Sequence, residues 1–89
     1  MKRLTITVHG RVQKVFFRRA TQFHARLAGL TGLARNEEDG SVTIIAEGET
    51  EKLKQLLAWC KNGPPFADVT GIETAWQDAT GEFKRFEVL

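Results

Sequence analysis

No tyrosine, one cysteine, one methionine and two prolines occur among the 89 residues. A lone Cys60 excludes an internal disulfide and any cysteine-built metal site. His9 and His24 are the only histidines, too few for a histidine-built one, so no metal and no cofactor is expected. No segment approaches the roughly 20 apolar residues of a membrane span. The basic start, "MKRLTITVHG", alternates its apolar residues with threonines and lacks the apolar run of a signal peptide. The chain is therefore expected in the cytoplasm, with no membrane partner. The most telling absence is of acid: no Asp or Glu occurs in residues 1–36, which carry Lys2, Arg3, Arg11, Lys14, Arg18, Arg19, Arg26 and Arg35. That half holds a formal +8 and the remainder −6. Either the basic half faces an anion or it pairs with the acidic half across the fold, and charge alone leaves both open.

A chain of this length, 42% hydrophobic and 27% charged, is expected to form a single domain over residues 1–89. Leu4, Ile6 and Val8 alternate with polar residues, which predicts a strand. Phe17, Ala20, His24, Leu27 and Ala28 recur at helical spacing, and Gly29 is placed to end that helix. A short strand over about 32–36 leads to Asp39-Gly40, a hairpin signal. "SVTIIAE" returns as a central strand. A second helix is expected with Thr50 as its N-cap and Leu53, Leu56, Leu57 and Cys60 on one stripe. "NGPP" ends it. A fourth strand runs over about 68–76, with Gly71 marking a possible bulge, and Phe86 and Val88 predict a short final strand. The order is β-α-β-β-α-β. This is the α+β, ferredoxin-like split β-α-β arrangement: an antiparallel sheet, two helices on one face, and a short extra C-terminal strand.

That fold hosts many activities, so function must come from a site. The stretch "HGRVQKVFFRRATQFHARLAG" joins the first strand to the first helix. A helix N-terminus presents free N–H groups and partial positive charge, which suit phosphate. Acid is the ordinary choice there, yet Arg18 and Arg19 occupy the first turn. Each such cation is unfavourable by a few tenths to ~1 kcal/mol, which a bound anion would offset. A guanidinium such as Arg18 holds two phosphate oxygens at once.

"GRVQKVFFRR" and "GLTGLARNEEDGSVTIIAEG" together resemble the acylphosphatase family. Its first signature is approximately G-x-V-Q-G-V-x-F-R, matched by Gly10, Val12, Gln13, Val15, Phe17 and Arg18. Its second is matched by Gly32, Asn36, Gly40, Val42 and Gly48. The resemblance covers nearly the whole chain. It implies hydrolysis of the carboxyl-phosphate bond of small acyl phosphates to carboxylate and inorganic phosphate. It also implies a phosphate-binding loop of Gln13, Lys14, Val15, Phe16 and Phe17, with Arg18 holding the phosphate and Asn36 orienting the attacking water. The chemistry suits a sparse site. Phosphoryl transfer through a loose transition state is catalysed by positioning and charge stabilisation, with no metal or nucleophilic side chain demanded.

Lys14 stands where the family pattern has glycine. If that position is left-handed, lysine costs about 1–2 kcal/mol there. The alternative reading is thus a catalytically weakened phosphate- or anion-binding module of the same fold. A nucleic-acid module would need exposed aromatics on the central strands. "LTITV" and "SVTIIAE" supply none, so no nucleic acid is expected and a monomer acting on a small molecule is.

Overall fold

Alternation of apolar and polar residues from Arg3 to Val8 becomes strand β1, Lys2–Arg11, in the computed structural model, which describes residues 1–89. The elements that follow are α1, Phe17–Leu27; β2, Thr31–Asn36; β3, Val42–Gly48; α2, Thr50–Cys60; β4, Asp68–Asp78; and β5, Phe86–Val88. The strands form one sheet in the order β4-β1-β3-β2-β5. The pairs β1–β3, β1–β4 and β2–β3 are antiparallel, as the ferredoxin-like arrangement requires. The short fifth strand adds to the outer edge of β2 in parallel, which makes the whole sheet mixed.

Register explains which face is covered. Leu4, Ile6 and Val8 stand opposite Ala46, Ile44 and Val42, and all six are fully buried. Both helices lie over this face, α1 against β2 and β5, and α2 against β1 and β3. Phe17 fills the space beneath α1 and meets Trp59 of α2 with ring centroids 5.4 Å apart. Burying a side chain of this kind stabilises the fold by about 1.5–3 kcal/mol. Cys60 lies in the same core, and burial pushes its thiol up to about 12, so it packs and does not react.

Gly29 ends α1 as the sequence predicts. It takes φ +73°. Its N–H donates to Arg26 O at 3.1 Å and that of Leu30 to Ala25 O at 2.9 Å, which is a Schellman motif.

Three details differ from the sequence reading. The buried face of α1 is Phe17, Thr21 and Ala25, while Leu27 is 72% exposed. Thr21 can be buried because its hydroxyl donates to Phe17 O at 2.8 Å. The N-cap of α2 is Glu49, and Thr50 is the first helical residue. Trp76 is 41% exposed and packs little, because α2 covers β1 and β3 and leaves β4 bare at the sheet edge. The expected bulge is present one residue before Gly71. His9 pairs with Gly71 and Gly10 with Val69, so Thr70 is the extra residue.

Candidate active site

The loop leaves β1 at a position only glycine can fill. Gly10 has φ +118°, and a Cβ there would lie 2.1 Å from Asp68 O. Buried Val12 then anchors the start of the loop and buried Phe17 its end. Between them the backbone alternates. Lys14 (φ 63°) and Phe16 (φ 64°) are left-handed, while Gln13, Val15 and Phe17 are not. Such alternation curls successive peptide units so that their N–H groups point into one concavity. None of the backbone N–H groups of residues 13–19 donates to an acceptor in the protein. Lys14 therefore takes the conformation in which lysine costs about 1–2 kcal/mol, and Phe16, 78% exposed, takes it too.

The two helix starts make the electrostatics plain. The first turn of α2 contains Glu51, the usual complement to the dipole. The first turn of α1 contains no acid, and its N-cap, Phe16, has no side chain that could accept an N–H. Arg18 and Arg19 add charge of the wrong sign for the helix and the right sign for an anion.

A second element is held beside the loop by Gln13. Its side-chain Nε2 donates to Glu37 O at 2.8 Å and to Ser41 O at 2.9 Å, tying the loop to the β2–β3 turn. That turn begins just after Asn36, the last residue of β2. Asn36 is exposed and its amide makes no hydrogen bond within the protein. The result is one open concavity of about 440 Å³ lined by Lys14, Phe16, Phe17, Arg18, Arg19 and Asn36, with Val12 at its floor and Val88 and Leu89 at its wall. No carboxylate side chain lines it.

Of the residues singled out in the sequence, Lys14, Phe16, Phe17, Arg18 and Asn36 thus meet in one place. The side chains of Gln13 and Val15 do not. Gln13 reaches away to the turn, and Val15 packs against the core. These two can offer only their peptide N–H groups. The sequence reading missed the end of β5. Arg18 Nη1 donates to Leu89 O, and Leu89 N donates to Ala34 O at 2.9 Å, which sets the C-terminal strand against the site. Alternation at Phe86 and Val88 marked a strand there but not its parallel partner.

The acylphosphatase family model matches residues 4–88. The chain belongs to the acylphosphatase family. It is 48% identical to a protein named acylphosphatase from Methylococcus capsulatus, over all of this chain and 97% of that one. It is 43% identical to another of that name from Pelotomaculum thermopropionicum, over 97% of this chain and 94% of that one. The crystal structure of acylphosphatase from Bacillus subtilis superposes with a TM-score of 0.96 at 37% identity, covering 100% of this chain and 99% of that one.

Proposed function

We infer that this chain hydrolyses small acyl phosphates, cleaving the carboxyl–phosphate bond with the residues gathered in the Arg18–Asn36 concavity. The observation that carries the assignment of roles is the run of unpaired N–H groups at residues 13–19, facing the same acid-free concavity as Arg18 and Asn36. Peptide N–H groups and the Arg18 guanidinium bind the phosphoryl oxygens. They stabilise the charge that spreads over those oxygens as the bond to the carboxylate breaks. Asn36 orients a water in line with the departing carboxylate. The water oxygen bonds to phosphorus, the bond to the carboxyl oxygen breaks with its electron pair, and the water proton passes to a phosphoryl oxygen. The products are the carboxylate and inorganic phosphate. Gln13 is a positioning residue that keeps the loop and Asn36 in register.

No group of three or more His, Cys, Asp or Glu stands together as a metal would need, and the mechanism is written without one. No helix is long and apolar enough to cross a membrane. We read the protein as a single domain over residues 1–89, a monomer in the cytoplasm acting on a small molecule and not on nucleic acid.

The alternative, a weakened anion-binding module, supposed that a left-handed lysine would shift the loop. Lys14 is left-handed, yet the loop keeps its N–H groups unpaired and turned towards Arg18, which supports the enzyme instead. The test is hydrolysis of benzoyl phosphate with EDTA present. Wild type should turn over, while folded Arg18→Ala and Asn36→Ala should each lose at least about a hundredfold. An inert folded wild type would overturn the hydrolase reading, and full activity in either variant would overturn that residue's role.

A further inference from the structure

The acid-free concavity holds more positive charge than one phosphoryl group requires. Arg18 and the peptide N–H groups face a single dianion, and Arg19 stands beside them with no ion pair and no hydrogen bond to any protein group. Arg19 also lines a second concavity, of about 300 Å³, on the outer face of α1 with Gln22, Phe23, Arg26 and Leu27. The two concavities therefore meet at Arg19 and form one groove. In the outer part the other polar groups are already engaged. Gln22 Nε2 and Arg26 Nη2 both donate to Phe86 O, at 3.2 Å and 3.0 Å. Phe23 is 62% exposed and offers an apolar wall. What remains free is one guanidinium next to apolar surface, continuous with the place where the phosphoryl group sits.

We propose that Arg19 is a specificity-determining residue that selects acyl phosphates whose acyl part carries a second anionic group, a carboxylate or a phosphate. The proposal rests on the placement of the phosphoryl group at Arg18 argued above. With the phosphate in the loop, the acyl carbons leave along the groove towards Phe23, and a terminal anion meets Arg19. A guanidinium suits either anion because its N–H groups form two parallel bonds to paired oxygens. Discrimination comes from the difference between substrates with and without that anion, not from tighter binding of both.

The test uses two stable β-ketophosphonates in which a methylene replaces the bridging oxygen. One ends in a methyl group and the other in a carboxylate at the same chain length. Binding is measured by calorimetry for wild type, Arg19→Gln and Arg19→Lys, with benzoyl phosphate hydrolysis followed in the same samples. Wild type should bind the carboxylated compound about five- to tenfold more tightly than the plain one. Arg19→Gln should bring that ratio close to one while changing affinity for the plain compound less than about threefold, and Arg19→Lys should keep part of the ratio. A wild-type ratio near one overturns the proposal. So does an equal loss of both affinities in Arg19→Gln, which would make Arg19 a general attractor of anions. If the ratio holds but benzoyl phosphate is not hydrolysed, the anion subsite stands and the hydrolase reading falls. If hydrolysis proceeds and the ratio is absent, the reverse is true.

Discussion

Arg3 and Arg18 are the same residue type in opposite situations. The Arg3 guanidinium is fully engaged. Its Nε donates to Glu47 at 2.7 Å, and its Nη2 donates to Thr80 Oγ1 at 2.9 Å and to Glu82. The Phe83 ring lies 5.2 Å away. Glu47, 4% exposed, also accepts from Thr80 N at 2.9 Å and Gly81 N at 3.0 Å, so the network clamps the β4–β5 connection to the face of the sheet away from the helices. Arg18, at the other end of the molecule, meets one carbonyl-type oxygen and no carboxylate side chain. A cation neutralised from within holds the fold together. A cation left unneutralised, among donors that are also unneutralised, is available to a ligand.

The contrast breaks most visibly at Arg18. Arg18→Gln should lower kcat/KM for benzoyl phosphate by about a thousandfold and leave the thermal midpoint nearly unchanged, measured by initial rates and melting on one preparation. Arg3→Gln should do the opposite. It leaves Glu47 buried without its cation and should cost about 2–3 kcal/mol in urea unfolding, with activity per folded molecule retained.

Acid sharpens the same division. Burial alone would raise the Glu47 carboxyl. The hydrogen bonds from Thr80, Arg3 and Gly81 outweigh it and hold the group at about 2, against an ordinary value of 4.5. A carboxyl depressed in the folded state stabilises above its unfolded value, and that contribution disappears as pH falls. The loss should therefore run from about pH 4.5 down to about 2, and it is on the order of 3 kcal/mol. Unfolding free energy of wild type should follow that course, and Glu47→Gln should flatten it. A wild-type profile that stays level across the window would show the clamp to be weak.

Inorganic phosphate should act only on the other region. At ten times its dissociation constant it should stabilise the protein by about 1.4 kcal/mol. The shift in thermal midpoint should persist in Arg3→Gln and vanish in Arg18→Gln. Smallest of all is the effect at Lys14. Lys14→Gly removes the cost of a left-handed lysine but adds freedom to the unfolded chain, so a net gain of about 0.5–1 kcal/mol is expected in urea unfolding. Lys14→Gln keeps the backbone cost and removes the charge. Comparing the two rates shows whether the ammonium group helps turnover.

Local patterns made the fold readable. Period-two alternation in β1, Asp39-Gly40 between β2 and β3, and Gly29 after α1 each act through neighbouring residues, which a sequence displays directly. The buried face of α1 was read one residue out because Thr21 hides its hydroxyl in a bond to its own helix. Arg18 was legible as charge of the wrong sign at a helix start, and Asn36 through its place in a motif. The Gln13 tether was not legible, since it joins a side chain to two carbonyl groups more than twenty residues away. Nor was the wall formed by Val88 and Leu89, which depends on a parallel pairing that no local signal encodes.

Because the phosphate cradle is built from the main chain, single substitutions reach it in few ways. Replacing a side chain leaves the peptide N–H in place, and only proline removes it. The loop can therefore drift in side-chain identity, as Lys14 and Phe16 illustrate, while the donors stay where they are. Its vulnerable points lie where side chains fix the curl: Val12 and Phe17 as anchors, and Gln13 as the tether. A mutational scan of residues 12–17 should thus trace the shape of the backbone and say little about the chemistry of the bond being broken.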